Sequence, residues 1–272
     1  MELVKLDDYQ SWLLRAIDDQ GRRVQVLIDP WLAGRFVVGA AWLFAREHRE
    51  PVVELDSLGP IDRVIVSAHF SDHCDLATLA RLPATLPILT TPTAARRMRR
   101  LGPRPITIAR AGERHVLAPG VELRIAAPGK PYEHASLGLI VDEHASGQRL
   151  WFETHVADMA TLDASAPVDV AVLPVESVRL LGRRLVAGPS EATSVLERLG
   201  ARWILPTGVA PERSRGLLAK LLRVAGSAAE LEAALRARES ACTVVCLGAG
   251  ERFEVPGGRT TKTFVDNLRT SS

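Results

Sequence analysis

The stretch SAHFSDHCD, residues 67–75, holds His69, Asp72 and His73 within five positions. It lies between a strand pattern and a helix pattern. RVIVSA (63–68) is β-branched and reads as a strand buried on both faces. Residues 71–82 place Leu76, Leu79 and Leu82 at helical spacing, with Ser71 or Asp72 as the N-cap. Loops at strand ends can aim side chains into a cleft. A carboxylate at a helix start is stabilised by the helix N-terminus. A neutral imidazole nitrogen beside a carboxylate oxygen suits Zn, Mn or Fe. The same pair also makes sense as a helix cap and a hydrogen-bonded loop histidine, and both readings stand at this point.

The elements that must position such a loop are mostly strands. SWLLRAI (11–17) and RVQVLIDP (23–30) flank the turn DDQG and form a hairpin. Residues 31–49 are apolar and irregular, a loop with a short helical piece. LPILTTP (86–92) is a strand and 93–101 a basic helix ended by Gly102–Pro103. PITIA, HVLAPG and VELRIAAPG are short strands with Gly/Pro turns. SLGLIVD (136–142) and RLWFETH (149–155) make a second hairpin. DVAVLPV (169–175) and RWILPT (202–207) are buried strands. Residues 190–199, capped by Ser190, 213–224 and 227–238 are helices. CTVVCLG (242–248) and ERFEV (251–255) form a last hairpin, and 257–272 is a polar tail. Helices follow strands in both halves without a linker. Two sheets packed face to face with helices outside would bury them all. The expected fold is α/β (α+β): one domain over 1–272, an αββα sandwich of two mixed sheets flanked by helices.

Composition narrows the function classes. The chain has 272 residues, 47% hydrophobic and 24% charged, with a formal charge of +2. AARRMRR and RLLGRR are small basic clusters, read as solvated faces, so a nucleic-acid partner is not expected. No apolar run reaches spanning length and the first ten residues lack a signal-peptide core, so no membrane partner and a cytoplasmic location are expected. The cysteines Cys74, Cys242 and Cys246 fit a reducing compartment. The last two read as small buried side chains on one strand face, too far apart to bridge. No GxGxxG, phosphate loop or GxSxG elbow occurs. Cys74 beside His73 reads as a packing residue rather than a nucleophile.

Taken in order, LLRAIDDQGRRVQVLIDPWLAG, VIVSAHFSDH, EHASLGLIV, LWFETHVAD and DVAVLPV resemble the metallo-β-lactamase fold superfamily over 11–255. SDHCDLATL and WFETHVAD are closest to a divergent bacterial and plant branch. The resemblance implies an HxHxDH metal motif. Laid on this sequence, that motif puts Ala68 and Phe70 at the first two histidine positions and Asp72 and His73 at the last two. His69 falls between. The first metal site is thus expected to be lost and the second retained. His134 stands where the next family ligand is due. His155, with Glu153 beside it as ligand or orienting partner, stands near the bridging Asp position. Thr207 occupies the place of the final histidine, a gap Glu176 could help fill. His48, His115 and His144 are assigned to the surface.

The resemblance thus implies a metal-dependent hydrolase-like protein with a reduced, single-metal site. Its metal donors are Asp72, His73 and His155, with His69 and His134 as additions. Asp72 and Glu153 carry catalysis, with Asp75 or Glu153 as the base. The cofactor is one divalent ion, Zn before Mn or Fe, or none. Three protein donors and a water suffice for catalytic Zn, whose water can reach a pKa of about 7. The rival reading is a pseudo-enzyme whose cleft binds a small ligand or a partner protein. In either case the partner is a small molecule first, and the oligomeric state is not readable.

Overall fold

The computed structural model describes residues 1–162, 165–208 and 214–257. Two seven-stranded sheets dominate it. The first runs, edge to edge, Arg252–Glu254, Glu2–Lys5, Trp12–Ile17, Arg23–Ile28, Arg63–Val66, Ile88–Thr90 and Ile106–Ile108. It is antiparallel up to Arg23–Ile28 and parallel beyond. The second runs Thr243–Val244, Trp203–Thr207, Val170–Pro174, Gln148–Phe152, Gly138–Glu143, Val121–Ala126 and Arg114–Ala118. Its first four strands are parallel and the rest antiparallel. The mixed αββα sandwich expected from the pattern is what forms.

Strand alternation decides which side chains go where. Trp12, Leu14, Val26 and Ile28 face inward and meet Leu139, Val141, Leu150, Phe152 and Val172 between the sheets. Leu13 and Leu27, one residue out of phase, face outward under the helices Leu76–Arg81 and Pro92–Met98 through Leu79, Ala94 and Met98. On the other side, Val195, Leu196 and Leu199 of Pro189–Leu199 pack with Leu231 and Leu235 of Ala228–Ala237 over Ala171, Leu173 and Ile204. Full burial of each such large side chain contributes about 1.5–3 kcal/mol.

The parallel strands fix the position of the site. Arg23–Ile28, Arg63–Val66, Gln148–Phe152 and Trp203–Thr207 all deliver their C-terminal ends to one edge of the sandwich. Two small sheets stand over that edge. One is Phe36–Val37, Ala45–Arg46 and Ser214–Arg215; the other is Arg183–Val186, Ser177–Leu180 and Leu222–Ala225.

Several local expectations are corrected. Residues 31–49 contain a short strand pair rather than a helical piece. The first helix begins at Leu76, not near Ser71, because Asp75 is its cap and accepts from Ala77 N and Thr78 N. Residues before it form a turn in which Phe70 O accepts from His73 N and Cys74 N. The third helix starts at Pro189, with Glu191 accepting from Gly188 N, so Ser190 lies inside it. The helix expected over 213–224 is only Leu217–Leu221. Residues Leu222–Ala225 are instead claimed as a strand by Ser177–Leu180, and residue 213 lies outside the described residues. The last hairpin does not form: Thr243–Val244 joins the second sheet and Arg252–Glu254 the first. Cys242 is half-buried and Cys246 exposed, not buried as a pair. The polar tail beyond Gly257 lies outside the described residues.

Candidate functional site

The loop after Arg63–Val66 is pinned from below by Asp29, the residue that follows Arg23–Ile28. Asp29 is fully buried and sits at φ +47°, the left-handed region that non-glycine residues seldom occupy. That backbone turns its carboxylate onto the neighbouring strand end. Oδ1 accepts from Ser67 N at 2.6 Å, and Oδ2 accepts from Ser67 Oγ at 2.5 Å. His73 Nδ1 lies 2.8 Å from the same Oδ2. The bond to Nδ1 leaves Nε2 as the free ring nitrogen of His73. Burial works against charge on His73, but Asp29 and Asp72 outweigh it and hold the imidazolium above its usual range.

The second sheet supplies Glu153 and His155. Glu153 Oε1 accepts from His155 N at 3.0 Å, and His155 O accepts from Ala187 N. Burial lifts the Glu153 carboxyl to about 8, so it keeps its proton at neutral pH. Burial, then the neighbouring His73 and His69, holds His155 well below the usual histidine range, so it is neutral. Its ring stacks on His73 with centroids 4.8 Å apart and planes at 21°. Tyr132 covers its other side at 4.1 Å.

Asp72 is held by its backbone, with Gln10 Nε2 donating to Asp72 O at 3.0 Å. Its Oδ1 is buried without a hydrogen-bond partner, as is Glu153 Oε2. Burial raises the Asp72 pKa, offset in part by His73 and Arg46. Arg46 is itself buried, its guanidinium 4.8 Å above the Tyr9 ring and 5.7 Å from Phe44. Its Nε donates to Ser214 Oγ. No carboxylate among the described residues pairs with it.

Asp72, His73, His155, Arg46, Tyr9 and Gln10 line the polar side of a cavity of about 420 Å³, with Asp29 and Glu153 behind them. Its walls are apolar: Phe36, Phe44 and Phe70 on one side, and Val178, Leu180 and Leu222 from the second small sheet on the other. A mostly apolar hollow with a few convergent polar groups suits a small organic ligand.

The structure therefore brings Asp72, His73, His155 and Glu153 together. His69 stands close enough to bear on the charge of His155 but does not line the cavity, its ring tilted against Phe70 at 4.2 Å. His134 is exposed and does not join them. Asp75, considered as a base, is spent on its helix cap. His48 is not a free surface histidine: Asp8 and the Trp31 carbonyl hold its two nitrogens. Asp29, Arg46, Tyr9, Gln10 and Tyr132 escape sequence reasoning. Only Asp29 leaves a signal, as the acid between a buried strand and Pro30.

A divalent ion is the group such a fold suggests, and the donor set does not fit one. Among the described residues no three His, Cys, Asp or Glu side chains are placed to hold a metal. Imidazole lone pairs lie in the ring plane. The His73 and His155 rings are stacked, so their in-plane lone pairs do not converge on one point. Phe70 fills the space beside them, its ring 6.2 Å from His73 and 5.8 Å from His155. Ala68 is buried, and Thr207 is committed to Trp12 Nε1 and Tyr9 O.

Comparison with known proteins gives the family. A model described as the beta-lactamase superfamily domain matches residues 24–208. Among solved structures, an isothiocyanate hydrolase from Delia radicum gut bacteria matches with TM-score 0.69 at 19% identity, covering 94% of this chain and 99% of that one. Igni18, a metallo hydrolase from the archaeon Ignicoccus hospitalis, matches with TM-score 0.63 at 16% identity, covering 93% and 98%. CmlA, a diiron beta-hydroxylase from Streptomyces venezuelae, matches with TM-score 0.64 at 13% identity, covering 93% of this chain and 54% of that one. At these identities the likeness is one of fold. A search of curated proteins finds no match.

Proposed function

The chain belongs to the beta-lactamase superfamily domain family, and from that premise we propose that its cleft binds a small, largely apolar molecule by side chains alone. The family is hydrolase-like and its fold neighbours include metal-dependent enzymes. One observation speaks against a metal centre: the His73 and His155 rings stack face to face with Phe70 beside them, an arrangement that does not aim their nitrogens at one point. The apolar walls take the body of the ligand. Its polar head meets Asp72 Oδ1, a buried oxygen with no partner of its own, and the Arg46 guanidinium. His73, fixed by Asp29, is a positioned proton donor toward the same head. This corresponds to the pseudo-enzyme alternative, with a small molecule as partner.

A single-ion hydrolase is the second reading. It is favoured by the Asp29–His73 pair, a carboxylate orienting a histidine as it does behind metal ligands, with Asp72 and His155 as the remaining donors.

Elemental analysis of the purified protein beside a His73→Ala variant separates the two. It is paired with titration by 1-anilinonaphthalene-8-sulfonate, an apolar dye with one charged head. We expect little Zn, Mn or Fe in either protein. Saturable dye binding should be lost when Val178→Trp fills the cavity. About one ion per chain in the wild type, absent from His73→Ala, overturns the proposal in favour of the single-ion hydrolase.

A further inference from the structure

Among the described residues eight large hydrophobic side chains are exposed, and six of them are on or beside the small structures over the cleft. Val38 and Trp42 belong to the turn between Phe36–Val37 and Ala45–Arg46. Leu217 and Leu221 share a face of the short helix beside it, where Leu217 N donates to Trp42 O. Val224 belongs to the second small sheet and Leu181 to the turn at its tip. Trp42 is 68% exposed and Leu181 76%. So much unpartnered apolar surface in one place marks an interaction surface rather than scatter.

Leu181 carries a second sign. It heads the turn between Ser177–Leu180 and Arg183–Val186 at φ +49°. Such a position is where Asn or Gly belongs, and a bulky residue there is a strained exception. The hairpin thus holds a leucine at its tip, in water, at a cost to its own backbone.

The second small sheet and the short helix carry basic charge only, while Glu47, beside Ala45–Arg46, answers Arg215 and Arg35. Residues 177–186 and 214–225 contain Arg179, Arg183, Arg184, Arg215, Lys220 and Arg223 and no Asp or Glu. Strand register sets Arg184, Arg179 and Arg223 side by side across three strands. Like charges directly opposite are destabilising. Arg184 is answered by Glu191, but no carboxylate among the described residues pairs with Arg179 or Arg223. The arrangement asks for anions from outside.

We propose that this face docks on the surface of a bilayer rich in anionic lipid, with Leu181, Trp42, Leu217 and Leu221 entering the headgroup layer and Arg179, Arg183, Lys220 and Arg223 meeting lipid phosphates and carboxylates. Apolar tips interleaved with basic side chains are what an interfacial contact needs. A nucleic acid would use the arginines and leave the leucines in water. No helix of the described residues is long and apolar enough to cross a membrane. The expectation of no membrane partner rests on the lack of a spanning apolar run and of a signal-peptide core, and neither bears on a surface contact. This inference does not use the cleft's ligand.

The test is co-sedimentation of the full chain with phosphatidylcholine vesicles, with and without phosphatidylserine. Binding is expected only with phosphatidylserine and should fall at high salt. Arg179→Ala and Arg223→Ala should each weaken it roughly fivefold. Leu181→Asn suits the left-handed turn, so it should keep or raise the melting temperature while weakening vesicle binding several-fold. Failure to sediment with anionic vesicles at low salt overturns the proposal. So does binding that Leu181→Asn leaves untouched, equal salt-sensitive binding to RNA or DNA, or burial of the patch in a dimer that forms without lipid.

Discussion

At the scale of single residues, the site is a set of buried titratable groups that settle one another's charge. Asp29 fixes the tautomer of His73, and burial keeps His155 neutral and Glu153 protonated. Glu153 carries a pH signature. In the unfolded chain its carboxyl loses its proton near 4.5, while in the folded chain it keeps it to about 8. The folded state therefore binds the extra proton between those values, and stability falls as pH rises through that window. Glu153→Gln keeps an oxygen for His155 N but has no proton to lose. Its melting temperature should decline less than the wild type's from pH 5 to 8.5, the remaining slope coming from His73, His155 and Asp72. The loss at the alkaline end should be on the order of a few kcal/mol. Equal slopes for both proteins would show that Glu153 ionises freely.

At the scale of elements, the cover over the cleft depends on close backbone approach. Gly216 has φ +103°, and a Cβ there would lie 2.6 Å from Leu43 O. Gly216→Ala should detach the Leu217–Leu221 helix at a cost of about 1–3 kcal/mol. Hydrogen exchange at Leu217 and Leu218, which donate to Trp42 O and Leu43 O, should then speed up while the amides of Val170–Pro174 stay protected. The central strands were legible in the sequence because alternation and β-branching are local signals; RVQVLI, RVIV and VAVLP each become strands as read. Residues 222–225 were not legible. LLRVA has helical propensity, and only pairing with distant Ser177–Leu180 makes it a strand. The same split divides the site. Asp72, His73, Glu153 and His155 stand in recognisable local patterns, whereas Tyr9, Arg46 and Tyr132 reach the cleft only through folding.

At the scale of the whole molecule, the largest of the three buried clusters is the layer of side chains between the sheets. Leu139 lies fully buried there. Leu139→Ala should cost about 2–5 kcal/mol, read as a lower urea midpoint with little change in the slope. A cost below 1 kcal/mol would mean that this layer repacks more freely than its burial indicates. The cover over the cleft has a different standing. Leu180, Leu185, Val186, Leu218 and Leu222 line the cavity yet belong to none of the three core clusters. The residues that keep the chain folded are thus distinct from those that choose what it holds. A lineage can exchange the second group without endangering the first, which is how one inherited scaffold comes to serve unrelated molecules.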